Sequence, residues 1–168
     1  MPRVPLALQI PRLRLIVIER DIKLQDIADT GIIMNSEISP QLLVNLFNPK
    51  TPLHDGAVII SENKVKSAAC LLPLSNDKNI SKRLGTRHRS AVGMSQESDA
   101  IVVVVSEETG KISVAKDGTL IMDVKEDALR QILIKNVVTK KFGNEELKNK
   151  RERLKQKIKY NKKDKEEI

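Results

Sequence analysis

Ala100-Ile101-Val102-Val103-Val104-Val105 is the most hydrophobic run in the chain, and five of its six residues are β-branched. A short run of this composition reads as a strand in the centre of a sheet, with both faces covered. The neighbouring patterns supply the covers. Leu15-Ile16-Val17-Ile18 is β-prone, and Ile22 to Ala28 reads as a short helix. Ser39-Pro40 before Gln41 to Phe47 has the form of an N-cap followed by proline at the first helical position, and Asn48-Pro49 ends that helix. Ala57 to Ser61 and Val65 to Leu72 form a predicted hairpin about Glu62-Asn63-Lys64, followed by a polar loop from Ser75 to Asn79. A helix is expected from about Thr86 to Gln96, a strand at Ile112 to Ala115, and a helix from Glu126 to Val137 with Leu129, Ile132 and Leu133 on one face. Strands with helices between them predict one α/β domain, a mixed sheet flanked by helices over residues 12–138. Residues 1–11 are expected to be an N-terminal segment, truncated if the chain is a piece of a longer protein, and residues 139–168 a basic tail, helical or disordered.

The tail explains the charge. Of the formal +8 on the chain, the segment from Thr139 to Ile168, with twelve Lys/Arg and six Asp/Glu, carries +6. The rest is nearly balanced, and the aromatics are only Phe47, Phe142 and Tyr160. Single-strand binders stack bases on aromatic platforms, so nucleic acid is disfavoured as a partner of the body. No stretch approaches the ~20 consecutive apolar residues that span a bilayer. The sequence as given is expected in the cytoplasm, or at the cytoplasmic face of the membrane if a full-length protein carries an anchor. The lone Cys70 sits in Ala68-Ala69-Cys70-Leu71-Leu72 and reads as a buried thiol rather than a nucleophile. In the tail, Leu147, Leu154 and Ile158 allow a weak oligomerisation seam, a lone solvated helix or a frayed end.

Two runs place charge in otherwise small or apolar sequence, and they hold both histidines: Leu53-His54-Asp55-Gly56-Ala57 and Gly85-Thr86-Arg87-His88-Arg89-Ser90-Ala91. Small residues after Asp55 let backbone N–H groups approach a ligand, while the carboxylate can reach a metal or a hydroxyl proton. Alone, the pattern equally describes an Asp-Gly turn. Thr86-Arg87-His88-Arg89 combines forked donors, an imidazole and the positive end of a helix, which suits an anion such as phosphate; the plain alternative is a solvated basic turn. Arg87 and Arg89 point to different faces of a helix, so one is expected to grip phosphate and the other to brace the site or a subunit contact. Ser106-Glu107-Glu108 follows the buried strand, where ligand sites are common, and reads equally as a polar turn. No P-loop, dinucleotide fingerprint or zinc spacing is present.

The strings TPLHDGAVII, CLLPLS and ISKRLGTRHRSAVGMSQESDAIVVVVSEETGKISVA closely resemble the diadenylate cyclase domain, from near LIVIERDIKLQDIADTG to about Val137. Its two hallmarks, Asp-Gly-Ala and Arg-His-Arg, stand here in order, and the likeness is nearest to the membrane-linked branch. The resemblance implies a nucleotidyltransferase that condenses two ATP into cyclic di-AMP and two pyrophosphates, one ATP per subunit in face-to-face subunits. It therefore implies a homodimer or higher homo-oligomer. It assigns Asp55 to deprotonation of the 3′-hydroxyl or to the metal, with Arg87 and His88 completing the catalytic set. Gly56, Ala57, Leu71, Leu72, Gly85, Thr86, Arg87, His88, Arg89, Ser106 and Glu107 would bind ATP. His54, Asp55 and Glu107 would hold the metal, Mg²⁺ or Mn²⁺, with Glu108 as a substitute.

Two departures from the family pattern matter. The position of Leu71 is often aromatic in relatives, so an aliphatic wall here is expected to hold adenine more loosely. The opening Met1-Pro2-Arg3-Val4-Pro5-Leu6-Ala7-Leu8-Gln9 matches neither the transmembrane helices nor the amphipathic stretch of the membrane-linked branch. Membrane association is expected only if an anchor is missing from this chain. A competing reading is a catalytically weak nucleotide- or nucleic-acid-binding relative that serves as a regulatory module.

Overall fold

Seven strands form one mixed sheet, in the spatial order Ile32–Glu37, Lys64–Cys70, Ala57–Ser61, Arg14–Ile18, Ile101–Val105, Ile112–Lys116 and Thr119–Ile121. The structure, a computed structural model, describes residues 14–77, 84–106 and 109–138. The strands are β1 (Arg14–Ile18), β2 (Ile32–Glu37), β3 (Ala57–Ser61), β4 (Lys64–Cys70), β5 (Ile101–Val105), β6 (Ile112–Lys116) and β7 (Thr119–Ile121). The helices are α1 (Gln25–Ala28), α2 (Pro40–Leu46), α3 (Thr86–Glu97) and α4 (Glu126–Leu133). β1 pairs parallel with β3 and antiparallel with β5, and the other pairings are antiparallel. Every residue of β5 is buried, as its β-branched run requires.

Alternation of side chains across the pleat gives the sheet two apolar faces. Leu15, Val17, Ala57, Ile59, Val102 and Val104 meet Ala91, Val92 and Met94 of α3 on one face. On the other, Val58, Val65 and Ala68 meet Leu43 and Leu46 of α2 and the adjoining Phe47. The cap of α2 is as the sequence predicts: Ser39 Oγ accepts a hydrogen bond from the Leu42 backbone N–H at 3.1 Å. β3 and β4 are joined by Glu62 and Asn63, both at positive φ (51° and 63°). That is the twist a two-residue hairpin loop needs.

Several elements differ from the sequence reading. The first helix is confined to Gln25–Ala28, because the segment before it is held by side-chain contacts rather than helical bonds. The buried Glu19 carboxylate accepts from Leu24 N–H at 2.9 Å and Ser61 Oγ at 2.6 Å, and Lys23 Nζ lies 3.1 Å from it. Asp99 in turn accepts from the backbone N–H groups of Asp21 and Ile22. β2 and β7 are additional strands. β2 is an edge strand whose pairing with β4 shifts register between Ile33 and Ser36, where Asn35 takes a positive φ of 50°. Its exposed Ile32 and Ile33 give no clean alternation to read. β4 ends at Cys70 rather than Leu72.

The chain separates into two compact units, residues 1–129 and 130–168. In the second, the winding changes to a π-turn at Ile134–Val138, so the predicted helix continues only in altered form. The rest of the tail, 139–168, lies outside the described residues. Among the described residues no helix is long and apolar enough to cross a membrane.

Candidate active site

Strand register, not sequence proximity, gathers the charged runs. Val58 pairs with Ile16 in the parallel β1–β3 ladder, and Arg14 with Val105 in the antiparallel β1–β5 ladder. The start of β3 and the end of β5 therefore lie at the same end of the sheet. Ala57 pairs with Cys70, which brings the exit of β4, and hence Leu71 and Leu72, to that end as well. The C-terminus of α3 leads into the start of β5 at the far end, so the N-terminus of α3 returns to the near one. Asp55-Gly56-Ala57, Leu71-Leu72, Gly85 to Arg89 and Ser106 thus share one rim.

Asp55 follows a 3₁₀ turn, Pro52–His54, that closes the long connection from α2. Its carboxylate is 82% exposed, and Arg87 Nη2 donates to its Oδ1 at 3.2 Å. This contact unites the two charged runs across 32 residues of sequence. His54 Nδ1 lies 2.6 Å from the Thr51 carbonyl. A carbonyl can only accept, so Nδ1 carries the proton and the lone pair of the neutral ring sits on Nε2.

Gly56 has φ +117°, and a Cβ built there would stand 2.6 Å from Ala69 C and 2.8 Å from Ala69 Cα. Opposite it, Ala69 takes a φ of 56° and the β3–β4 register shifts between Ala57 and Ile59. A bulge in β4 faces the glycine, bends the strand and redirects the chain beyond it. Leu71 emerges from it 70% exposed, with its N–H donated to Thr30 Oγ1 at 3.0 Å. Leu72 is instead half-buried and packs on the core beside α3.

Among the described residues, the start of α3 has no side-chain cap and no acidic residue in its first turn, so nothing on the helix itself competes with an incoming anion. Gly85 is its N-cap, and among the described residues no atom lies within 4 Å of where its Cβ would be. Thr86 is exposed and Arg87 half-buried. Burial lowers the His88 pKa from its ordinary value, which favours the neutral imidazole. Arg89 turns away from Asp55: its Nη2 donates to the Ser75 carbonyl at 3.4 Å, while Ser75 N–H donates to the Arg89 carbonyl at 3.1 Å.

Ser106 is half-buried, and its N–H and Oγ organise the turn into β6, taking in Lys111 O and Thr109 N–H. Glu107 and Glu108 lie outside the described residues. Among the described residues, no three His, Cys, Asp or Glu side chains converge as a ready-made metal cage.

Four residues that the sequence reading passed over also shape this rim. Ser75 is buried behind it, Thr30 holds Leu71, Ala69 supplies the bulge, and Gly93 lies under the loop after β4. Only Gly93 left a legible trace, a glycine inside a helical pattern, which signals close approach by another segment.

An aspartate and an uncapped cationic helix start at one rim of a two-faced sheet make an α/β domain suited to an anionic, phosphate-bearing ligand. A family model, DisA bacterial checkpoint controller nucleotide-binding, matches residues 14–120, well over half the chain. The chain belongs to this DAC family. It is 55% identical over 125 residues to a diadenylate cyclase of Listeria monocytogenes, covering 74% of this chain and 46% of the relative. It is 53% identical over 119 residues to a cyclic di-AMP synthase of Bacillus subtilis, covering 71% and 44%. A crystal structure of a double mutant of DacA from Staphylococcus aureus superposes with a TM-score of 0.73 at 51% identity, covering 75% of this chain and 84% of the other. A Bacillus cereus structure described as a hypothetical membrane-spanning protein gives 0.66 at 43% identity, covering 70% and 59%. The chain spans about half the length of the curated relatives it matches.

Proposed function

We propose that the chain is a diadenylate cyclase, condensing two ATP into cyclic di-AMP and two pyrophosphates. Beside the family membership, the observation that carries this reading is the Arg87–Asp55 contact at 3.2 Å. It sets a hydroxyl-activating carboxylate directly against a phosphate-seeking guanidinium. In this reading Arg87, Thr86 and the open N–H groups of α3 bind the triphosphate, with neutral His88 donating alongside. As the phosphates take up Arg87, Asp55 is released towards the ribose. It then accepts the 3′-hydroxyl proton as the 3′-oxygen attacks the α-phosphorus of the second nucleotide, and the bond to pyrophosphate breaks.

One rim offers one carboxylate and one cationic helix start, whereas the reaction is symmetric in its two nucleotides. Two subunits, face to face, each contributing one ATP, would complete the ring. Catalysis would then be largely positioning and neutralisation of charge. Gly56 and Ala57 would line the nucleotide, and Leu71 with the flanking Leu72 backbone would form the adenine wall. Ser106 would lie near the phosphates.

The donor set suits a divalent ion that arrives with the nucleotide: Asp55 offers carboxylate oxygen and His54 its Nε2 lone pair, and the family resemblance adds Glu107 to them. Mg²⁺ or Mn²⁺ bound there would supply charge neutralisation at phosphate oxygens and acidify the hydroxyl. We take residues 12–138 as the catalytic domain, and a chain using ATP in this way would act in the cytoplasm or at the cytoplasmic face of the membrane.

The test is incubation of purified protein with ATP and Mn²⁺ or Mg²⁺, followed by chromatography. Cyclic di-AMP and pyrophosphate are expected in a ratio of one to two. Nucleotide binding without product, across both metals and a range of protein concentrations, would overturn the cyclase reading in favour of a regulatory binding module.

A further inference from the structure

We propose that Arg89 serves this site as a positioning residue for the base-binding loop, not as a phosphate ligand. The inference rests on the nucleotide-binding reading above and assigns a distinct task to the second arginine of the basic run. The segment Leu71–Asp77 has no secondary structure of its own, and it carries Leu71 and Leu74 at 70% and 46% exposure. Such a segment holds a ligand wall only if its backbone is fixed elsewhere.

The fixing point is Ser75, 2% exposed. Its N–H and C=O are both taken by Arg89, the first by the Arg89 carbonyl and the second by the guanidinium. Ser75 Oγ then accepts from Asp77 N–H at 3.3 Å, extending the hold by two residues. One turn further along α3, Gly93 lets the same loop lie directly on the helix. A Cβ at Gly93 would stand 2.4 Å from Pro73 O and 2.7 Å from Ser75 N. Arg89 Nε is buried and without a hydrogen-bond partner among the described residues, so the guanidinium is committed inward along this seam. Arg87, two positions earlier, emerges on a different side of the helix and meets Asp55. The two arginines therefore divide the ligand, Arg87 taking the phosphates and Arg89 the base through the loop.

The experiment compares two probes, ATP and inorganic tripolyphosphate, by calorimetry on the full chain, with ATP turnover measured in parallel. Arg89→Met keeps the aliphatic stem but removes the donor, and Gly93→Ala leaves Arg89 intact but pushes the same loop off the helix. Both are expected to weaken ATP about tenfold, comparable to losing the burial of one aliphatic side chain, and to leave tripolyphosphate binding unchanged. KM for ATP should rise with kcat largely kept. Arg87→Met should weaken both probes. Equal loss of the two probes in Arg89→Met would make Arg89 a phosphate ligand and overturn the proposal, as would no loss of either. If Gly93→Ala does not fold, Arg89→Met decides alone. Failure of the native chain to bind ATP or tripolyphosphate would instead overturn the nucleotide reading itself.

Discussion

Replacing Gly56 with alanine tests whether the Asp55 rim is built on backbone contact. The residue sits at φ +117°, a conformation that side-chain-bearing residues rarely adopt, and strain of that kind costs about 1–3 kcal/mol. The new methyl would also meet Ala69 C at 2.6 Å, Ala69 Cα at 2.8 Å and Cys70 O at 2.9 Å. All three are backbone atoms of a paired strand, so no rotamer change relieves them, and overpacking of this sort adds roughly 1–3 kcal/mol. The total, about 2–6 kcal/mol, is a large part of the roughly 5–15 kcal/mol that keeps a domain folded. Thermal unfolding followed by far-ultraviolet circular dichroism should show Tm lower by roughly 10–20 °C. Ala69→Gly is the companion: it relieves a left-handed alanine worth about 1–2 kcal/mol while loosening the unfolded chain by about half that. It should be neutral or slightly stabilising, and it should not rescue Gly56→Ala, because the overlap is with main chain. A Gly56→Ala protein within about 2 °C of the native Tm would refute this account of the glycine.

Asp55→Asn should abolish cyclic di-AMP formation while Kd for ATP stays within about threefold, since an exposed side chain is exchanged for one of the same shape; turnover that survives would remove Asp55 from the role of base. Leu71→Tyr should tighten ATP binding by offering a stacking face at the exposed wall, and unchanged affinity would take Leu71 out of the site. Glu19 reports on pH. Burial alone would raise its pKa, but hydrogen bonds from Ser61, Leu24 and Lys23 outweigh this and hold it below the ordinary carboxylate value. A lowered folded pKa stabilises the fold fully above the unfolded value of about 4.3 and loses that contribution as pH falls through the folded pKa. Glu19→Gln should therefore cost about 1–3 kcal/mol at neutral pH, measured by urea unfolding, with the gap narrowing in acid; a gap that persists unchanged at low pH would contradict the charge-based account.

The parts legible in the sequence were those whose signal is local. The β-branched run of β5, the Ser39-Pro40 cap of α2 and the hairpin at Glu62-Asn63 each follow from a few adjacent residues. So do the two charged runs, which stand out because charge there serves no core. What escaped depends on distant partners. β2 offers no alternation, since Ile32 and Ile33 are both exposed and Asn35 interrupts the ladder. The positive φ of Ala69 is imposed by the strand across from it and leaves no mark in Ala68-Ala69-Cys70. Ser75 looks like any loop serine, yet it is buried because Gly93, eighteen positions later, admits it. The Glu19 clasp likewise joins a carboxylate to a serine 42 residues away.

The broken ladder of β2 has a consequence for the chain in a crowded solution. An open sheet edge is a template on which another strand can grow, and the hazard rises with the length of straight, unpaired backbone. β2 pairs inward in two short pieces, Ile32 and Ile33 on one side of the kink and Ser36 and Glu37 on the other. Its outer edge inherits the same interruption, and the opposite edge, β7, is three residues long. Among the described residues, neither edge offers a stray strand a long straight run to zip along. The one-residue kink at Asn35 thus shortens the straight backbone that β2 presents, on a strand whose exposed isoleucines would otherwise favour pairing.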